Sequence, residues 1–182
     1  MTRAFVAVRL PEPVLDAIAG CVDHVTVSGR ATTREQWHLT LQFLGDDADV
    51  EAVARALGGL EAIGGRAQIG GAGAFPDERR ARVLWLGLAE GTAVVTRLAA
   101  AVATRLAPLG HAADPRPYRP HLTLARYRAP TDVHDLVGVL GRERVGPAWD
   151  VDAVTVYESR RRPDGAEYFA RATIPLGTAL PT

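Results

Sequence analysis

The sequence predicts an α+β protein made of two similar halves. The arrangement is a bilobal, pseudo-twofold duplicated fold in which antiparallel sheets line a central cleft and helices pack outside. Three observations predict it. The word His38-Leu39-Thr40-Leu41 recurs unchanged as His121-Leu122-Thr123-Leu124. Each copy lies in a run alternating with the period of a strand, so its histidine and threonine share one face and its leucines the other. Around the copies one order of elements occurs twice: helix, motif strand, helix, two strands.

The elements follow from local pattern. A strand opens the chain over about 4–10, and Pro11 then starts a helix whose Val14, Ile18, Val22 and Val25 recur at helical spacing. The first motif strand covers about 34–44 and ends at Gly45. Asp46 and Asp47 are expected to cap a second helix that turns Val50, Val53, Leu57 and Leu60 inward and stops at Gly58-Gly59 or Gly64-Gly65. Strands near 66–75 and 82–89 complete this half. In the second half a helix over about 92–107 turns Val95, Leu98, Val102 and Leu106 inward, and the motif strand follows at 118–125. A helix at 132–141 with Val133, Leu136, Val137 and Leu140 inward and strands near 150–158 and 166–175 finish it. The expectation is one bilobal domain over 1–182, with halves of approximately 11–90 and 91–176.

Composition narrows the functions. A hydrophobic fraction of 47% over 182 residues supports a proper core. Twenty-one basic and 21 acidic residues cancel, which argues against a long nucleic-acid footprint or an anionic membrane surface and leaves a small substrate or a polymer end. No apolar run approaches the roughly 20 residues of a membrane span, and the N-terminus reads as a short strand rather than a signal sequence. The single cysteine, Cys21, reads as core or partly buried filler; it excludes an internal disulfide or thiolate cluster and fits a reducing cytoplasm. All 21 basic residues are arginine. The absence of lysine rules out Schiff-base chemistry, a phosphate loop with its lysine, and a nucleotide carried on lysine. A phosphate here must be handled by arginine, histidine, hydroxyls or backbone amides.

The leucines of the two motifs belong to the core, and the opposite face carries an imidazole beside a hydroxyl. Two such strands facing one another bring two imidazoles and two hydroxyls to one cleft, a set suited to moving protons around a hydrogen-bonded anion.

With those motifs in their longer contexts, the chain resembles the 2H phosphoesterase superfamily, and within it the RNA 2′,3′-cyclic phosphodiesterases also known as 2′-5′ RNA ligases. The similarity runs through Arg3-Ala4-Phe5-Val6-Ala7-Val8, His38-Leu39-Thr40-Leu41 with Phe43-Leu44-Gly45, and Gly73-Ala74-Phe75-Pro76. It continues through Arg82-Val83-Leu84-Trp85-Leu86-Gly87 and Arg119-Pro120-His121-Leu122-Thr123-Leu124-Ala125-Arg126. The resemblance implies hydrolysis of a 2′,3′-cyclic phosphate at an RNA end to a 2′-phosphate, with no metal, cofactor or covalent intermediate. By analogy His38 is the proton donor to the leaving 3′ oxygen and His121 the proton acceptor from water, although the near-symmetry of the motifs leaves the two interchangeable on the residues alone. Thr40 and Thr123 would bond the non-bridging oxygens. Arg126 is the family's phosphate contact, yet strict alternation sends it to the core face unless the strand twists or bulges. Phe43 holds the equivalent place in the first copy and is either an aromatic surface for a base or a core residue. The alternatives are reversible 2′-5′ RNA ligation, another small cyclic phosphate as substrate, and a non-catalytic module binding RNA ends. Since both motifs lie in one chain, a monomer is expected.

Other candidates have simpler readings. His24 and His111 lie near helix ends and His134 in a helix's first turn, none with a carboxylate at a spacing typical of a metal site. Gly70-Gly71-Ala72-Gly73 precedes no helix, so it marks a bulged or closely packed strand rather than a phosphate cradle. The arginine-rich loops 76–82 and 159–165 fall at matching places and either guide an RNA backbone or are solvated hairpin turns.

Overall fold

The computed structural model describes residues 2–62, 64–163 and 165–177, and every structural statement concerns these. The elements run β1 (Thr2–Arg9), α1 (Glu12–Asp23), β2 (Arg30–Ala31), β3 (His38–Ala48), α2 (Val50–Leu57), β4 (Gly65–Phe75), β5 (Ala81–Glu90) and α3 (Thr92–Leu106). They continue through β6 (Leu122–Thr131), α4 (His134–Leu140), β7 (Arg144–Val151), β8 (Ala153–Arg162) and β9 (Gly165–Pro175). Two antiparallel sheets result, one ordered β3-β1-β8-β9 and the other β2-β6-β5-β4-β7. The helices cover them: α1 packs on β7, α3 on β3 and β4, α4 on β4, and α2 on β8 and β9.

The α+β, two-sheet, pseudo-twofold reading holds, but the lobes are not the contiguous halves 11–90 and 91–176. In space the repeated unit is strand, helix, motif strand, helix, strand: β1-α1-β3-α2-β4 and β5-α3-β6-α4-β8. The first strand of each unit pairs with its own motif strand, while the last crosses over, so β8 lies beside β1 and β4 beside β5. Alternation is blind to this exchange, because a strand with one apolar face fits equally well against either partner.

Both motif strands begin later than their periodicity suggests. Arg34–Gln36 forms a 3-10 turn closed by Thr33 and Gln36, and β3 starts at His38. Residues 115–121 are not strand, since Pro115, Pro117 and Pro120 offer no amide to a ladder, and β6 starts one residue after His121. Each histidine therefore stands at the entrance of its strand. Gly45 does not end β3; with φ +83° it lets the strand bend and continue to Ala48. Nor do Asp46 and Asp47 cap α2. That role falls to Asp49, whose carboxylate accepts from the Ala52 amide at 2.9 Å, while Asp46 pairs with Arg3 at 2.6 Å. The sequence also hides β7, an edge strand interrupted by Gly146 and Pro147, a place where proline is tolerated.

The core joins both sheets to the buried helix faces. Leu39, Leu84, Leu86, Leu122, Val154 and Val156 are buried beside Ile18, Val53, Leu98 and Val102. Thr92–Leu109, α3 with its 3-10 extension, has the length and the mean hydropathy (1.2) of a short membrane span. Its Val95, Leu98, Ala99, Val102 and Leu106 are buried in this core, the apolar stripe of a core helix.

Candidate active site

A bulge in each motif strand sets the site. Across the β1/β3 ladder Thr40 faces Ala7 and Gln42 faces Val6, so Leu41 is the extra residue. Across β5/β6 Thr123 faces Trp85 and Ala125 faces Leu84, so Leu124 is. Two consecutive residues are buried at each bulge, Leu41-Gln42 and Leu124-Ala125, before alternation resumes with Phe43 and Arg126 on the face of the histidine and threonine. Strict period two fails for Arg126 for this reason, and the bulged form of the expectation is the one observed. Phe43 is 48% exposed, which excludes the core reading.

His38, Thr40, Phe43, His121, Thr123 and Arg126 all line one cleft of about 350 Å³ between the sheets. Each imidazole is held from behind. His121 Nδ1 donates to the Arg119 carbonyl at 2.8 Å, which leaves Nε2 with its lone pair in the neutral ring; His38 makes the matching bond to the Gln36 backbone. His38 Nε2 lies 3.0 Å from Thr40 Oγ1. The His38 ring stacks on Phe5 at 4.6 Å and meets the edge of Tyr168 at 5.3 Å, while His121 rests against Phe75 at 5.0 Å and Trp85 at 6.2 Å.

Burial pushes the His38 pKa down to about 4, against the Gln36 bond, which favours the charged form, and with help from the charges of His121 and Arg126. Burial likewise lowers His121, aided by Arg126 and Arg119. The free cleft thus holds two neutral imidazoles at neutral pH, and a bound anion would favour their charged forms. A stability effect follows from the same shift. The folded-state pKa of His38 lies below the ordinary 6.5, so its contribution is complete above pH 6.5 and is lost as pH falls toward 4. The melting temperature is expected to drop across that window and to drop less in His38→Gln. Equal slopes in a pair of pH-dependent melting series would show that His38 is not the group responsible.

Sequence reasoning missed Arg3, Phe5, Arg30, Thr32, Gln36, Ser159 and Tyr168, all on the cleft wall. Arg3 and Phe5 share the face of Ala7 on β1 at period two, a signal hidden because neighbouring Ala4–Val8 are all buried. Arg3 also sets its guanidinium 4.5 Å from the centre of the Phe43 ring. Ser159 and Tyr168 face each other across the β8/β9 hairpin and reach the cleft because the strand exchange sets β8 beside β1.

The remaining candidates lie elsewhere. His24 caps α1, the His111 carbonyl accepts from Gln42, and His134 pairs with Glu78 at 2.8 Å. The Gly70–Gly73 segment is a bulged, closely packed strand, as expected: Gly71 has φ +73°, and a Cβ on Gly73 would lie 2.4 Å from the Trp85 ring. The two arginine loops are not equivalent around the site. In 76–82, Asp77 accepts from the Arg79 and Arg80 amides, and Arg79 borders a second groove with Tyr127 and His134. The 159–165 loop, of which Asp164 lies outside the described residues, borders the cleft through Ser159. Its arginines meet carboxylates: Arg160 with Glu158 at 2.7 Å, Arg161 with Asp46 at 3.5 Å and Arg162 with Glu167 at 3.0 Å.

Known proteins resemble the chain over most of its length. A family model described as the 2′-5′ RNA ligase superfamily matches residues 12–163. The RNA 2′,3′-cyclic phosphodiesterase of Methanothermobacter thermautotrophicus is 32% identical over 178 residues, covering 91% of this chain and 94% of its own. The protein of that name from Thermus thermophilus is 34% identical over 182 residues, covering 91% and 86%. The crystal structure of Escherichia coli LigT complexed with 3′-AMP superposes with a TM-score of 0.78 at 26% identity, over 96% of this chain and 98% of that one.

Proposed function

The chain belongs to the 2′-5′ RNA ligase superfamily, and from that membership and its paired His-Thr cleft we propose that it is an RNA 2′,3′-cyclic phosphodiesterase, a hydrolase that opens a terminal cyclic phosphate to a 2′-phosphate. One observation carries the reading: two histidine-threonine pairs and Arg126, set on or at the entrance of the motif strands of opposite sheets, converge on one cleft. The reaction needs one base and one acid together. Water attacks phosphorus and passes a proton to His121 Nε2; the phosphorus–O3′ bond breaks, and His38 gives its proton to O3′. Thr40, Thr123 and Arg126 hold the non-bridging oxygens, where negative charge persists through the transition state. Burial makes protonated His38 scarce in the free enzyme, and an anionic substrate, by favouring the charged imidazole, supplies the protonated form that the acid role needs. Ligation is the reverse reaction through the same groups, and bulk water favours hydrolysis. The lone Cys21 and the presence of both motifs in one chain support a monomer in a reducing cytoplasm.

The test is incubation of the purified protein, in excess chelator, with a short RNA ending in a 2′,3′-cyclic phosphate, resolving 2′- from 3′-phosphate products. A 2′-phosphate product is expected. A 3′-phosphate product, or no turnover by folded protein, would overturn the assignment.

A further inference from the structure

Two hydroxyl contacts that join the motifs crosswise have no place in the chemistry just described. The segment leading into the first motif reaches the second: Thr32 Oγ1 donates to the Thr123 carbonyl at 2.7 Å, with the Leu124 carbonyl 3.0 Å away. Its amide donates to the Leu124 carbonyl at 2.8 Å, and Trp37, next to His38, donates its indole N–H to the Thr32 hydroxyl at 3.0 Å. The segment leading into the second motif reaches the first in the same way. Tyr118, three residues before His121, donates its phenol to the Thr40 carbonyl at 2.7 Å. Behind it Gln42 Nε2 holds the carbonyls of His111 and Ala112 at 3.0 and 3.2 Å. Burial raises the Tyr118 pKa, so the phenol stays a donor.

The acceptors lie where the ladder is broken. Thr40 immediately precedes the bulged Leu41, and Thr123 and Leu124 are the corresponding pair in β6. Each of these carbonyls adjoins or belongs to the extra residue of its strand, and a hydroxyl from the opposite motif's lead-in segment bonds it there. The same bulges return Phe43 and Arg126 to the cleft.

We infer that Thr32 and Tyr118 are positioning residues, a reciprocal pair of braces that fixes the two bulges and, through them, the spacing of the His38-Thr40 and His121-Thr123 pairs across the substrate phosphate. This inference rests on the phosphodiesterase reading above. Neither side chain is asked to touch the reacting atoms. What the braces supply is the relative placement of acid and base, a quantity to which rate is steep and ground-state binding shallow, since a misplacement of about 1 Å costs on the order of 100-fold.

The test uses the full chain with Thr32→Val and Tyr118→Phe, which keep shape and remove one hydroxyl each, and Thr32→Ser as the conservative partner. Each hydroxyl loss is expected to lower kcat about tenfold while KM stays within about twofold, with Thr32→Ser close to wild type. An NMR titration of the His38 and His121 imidazoles in the free proteins gives a readout independent of turnover. Both midpoints are expected to move up toward 6.5 in Thr32→Val and Tyr118→Phe as the loosened cleft admits water. A lower melting temperature with unchanged kcat and unchanged imidazole midpoints would make these contacts mere struts and overturn the inference. If wild-type protein opens no cyclic phosphate, the functional reading fails by itself. The imidazole titration then decides the braces, and midpoints unmoved in both variants would sink them.

Discussion

His121→Ala is expected to lower kcat/KM for a 2′,3′-cyclic phosphate by about 100- to 10,000-fold, the usual contribution of one positioned acid–base group. His38→Ala should lose a similar factor. The double variant should be little worse than either single one, because a base without its acid cannot complete the displacement. Loss of a threonine hydroxyl should cost less. In Thr40→Val or Thr123→Val one hydrogen bond to a charged phosphate disappears, worth about 1.5–3 kcal/mol, or about 10- to 150-fold. The ranking itself is the measurement: steady-state rates for the four single variants, with near-ultraviolet circular dichroism to confirm native packing. A His121→Ala protein within tenfold of wild type would remove this imidazole from the chemistry. Threonine variants slower than the histidine variants would instead point to electrostatic clamping of the phosphate as the dominant contribution.

Gly73→Ala is expected to destabilise the fold by about 1–3 kcal/mol, the usual cost of overpacking, partly offset by the lower backbone entropy of the unfolded chain. The added methyl would stand 2.4 Å from Cζ2 of Trp85, a buried residue whose ring must shift to admit it. That ring also lies 6.2 Å from His121, so a falling urea midpoint should be accompanied by a falling kcat. Gly20→Ala in α1 is the counter-experiment: a Cβ there meets nothing within 4 Å, and the change should stabilise by about 0.5–1 kcal/mol. Equal urea midpoints for Gly73→Ala and wild type would show that Trp85 has room to move.

Much of this site was legible because the two chemical residues of each motif are two apart on one strand. His38 with Thr40, and His121 with Thr123, share a face for any regular β geometry, and their repetition announced a paired site. Arg126 and Phe43 were harder. Their direction depends on one extra residue in each ladder, and nothing in Leu41 or Leu124 distinguishes a bulged leucine from a paired one. Helices read well where burial is one-sided: α3 carries Val95, Leu98, Val102 and Leu106 inward as its spacing predicts. The sheet partners did not read at all. Tyr168 reaches His38 only because β9 follows β8 into the sheet of β1, a long-range choice that leaves no trace in local alternation.

That exchange of strands dictates the order in which the molecule can be assembled from its N-terminus during synthesis. The β4-β5-β6 ladder, which carries Thr123, is drawn from residues 65–131 and can zip as soon as they are available. The sheet that carries His38 begins with residue 2, yet waits for β8 and β9, complete only at residue 175. Through most of translation β1 is an apolar strand lacking one neighbour, the kind of edge that invites mispairing. The wall holding one histidine is therefore built early and the wall holding the other late, and a chain cut short before residue 153 has both motifs and no finished cleft.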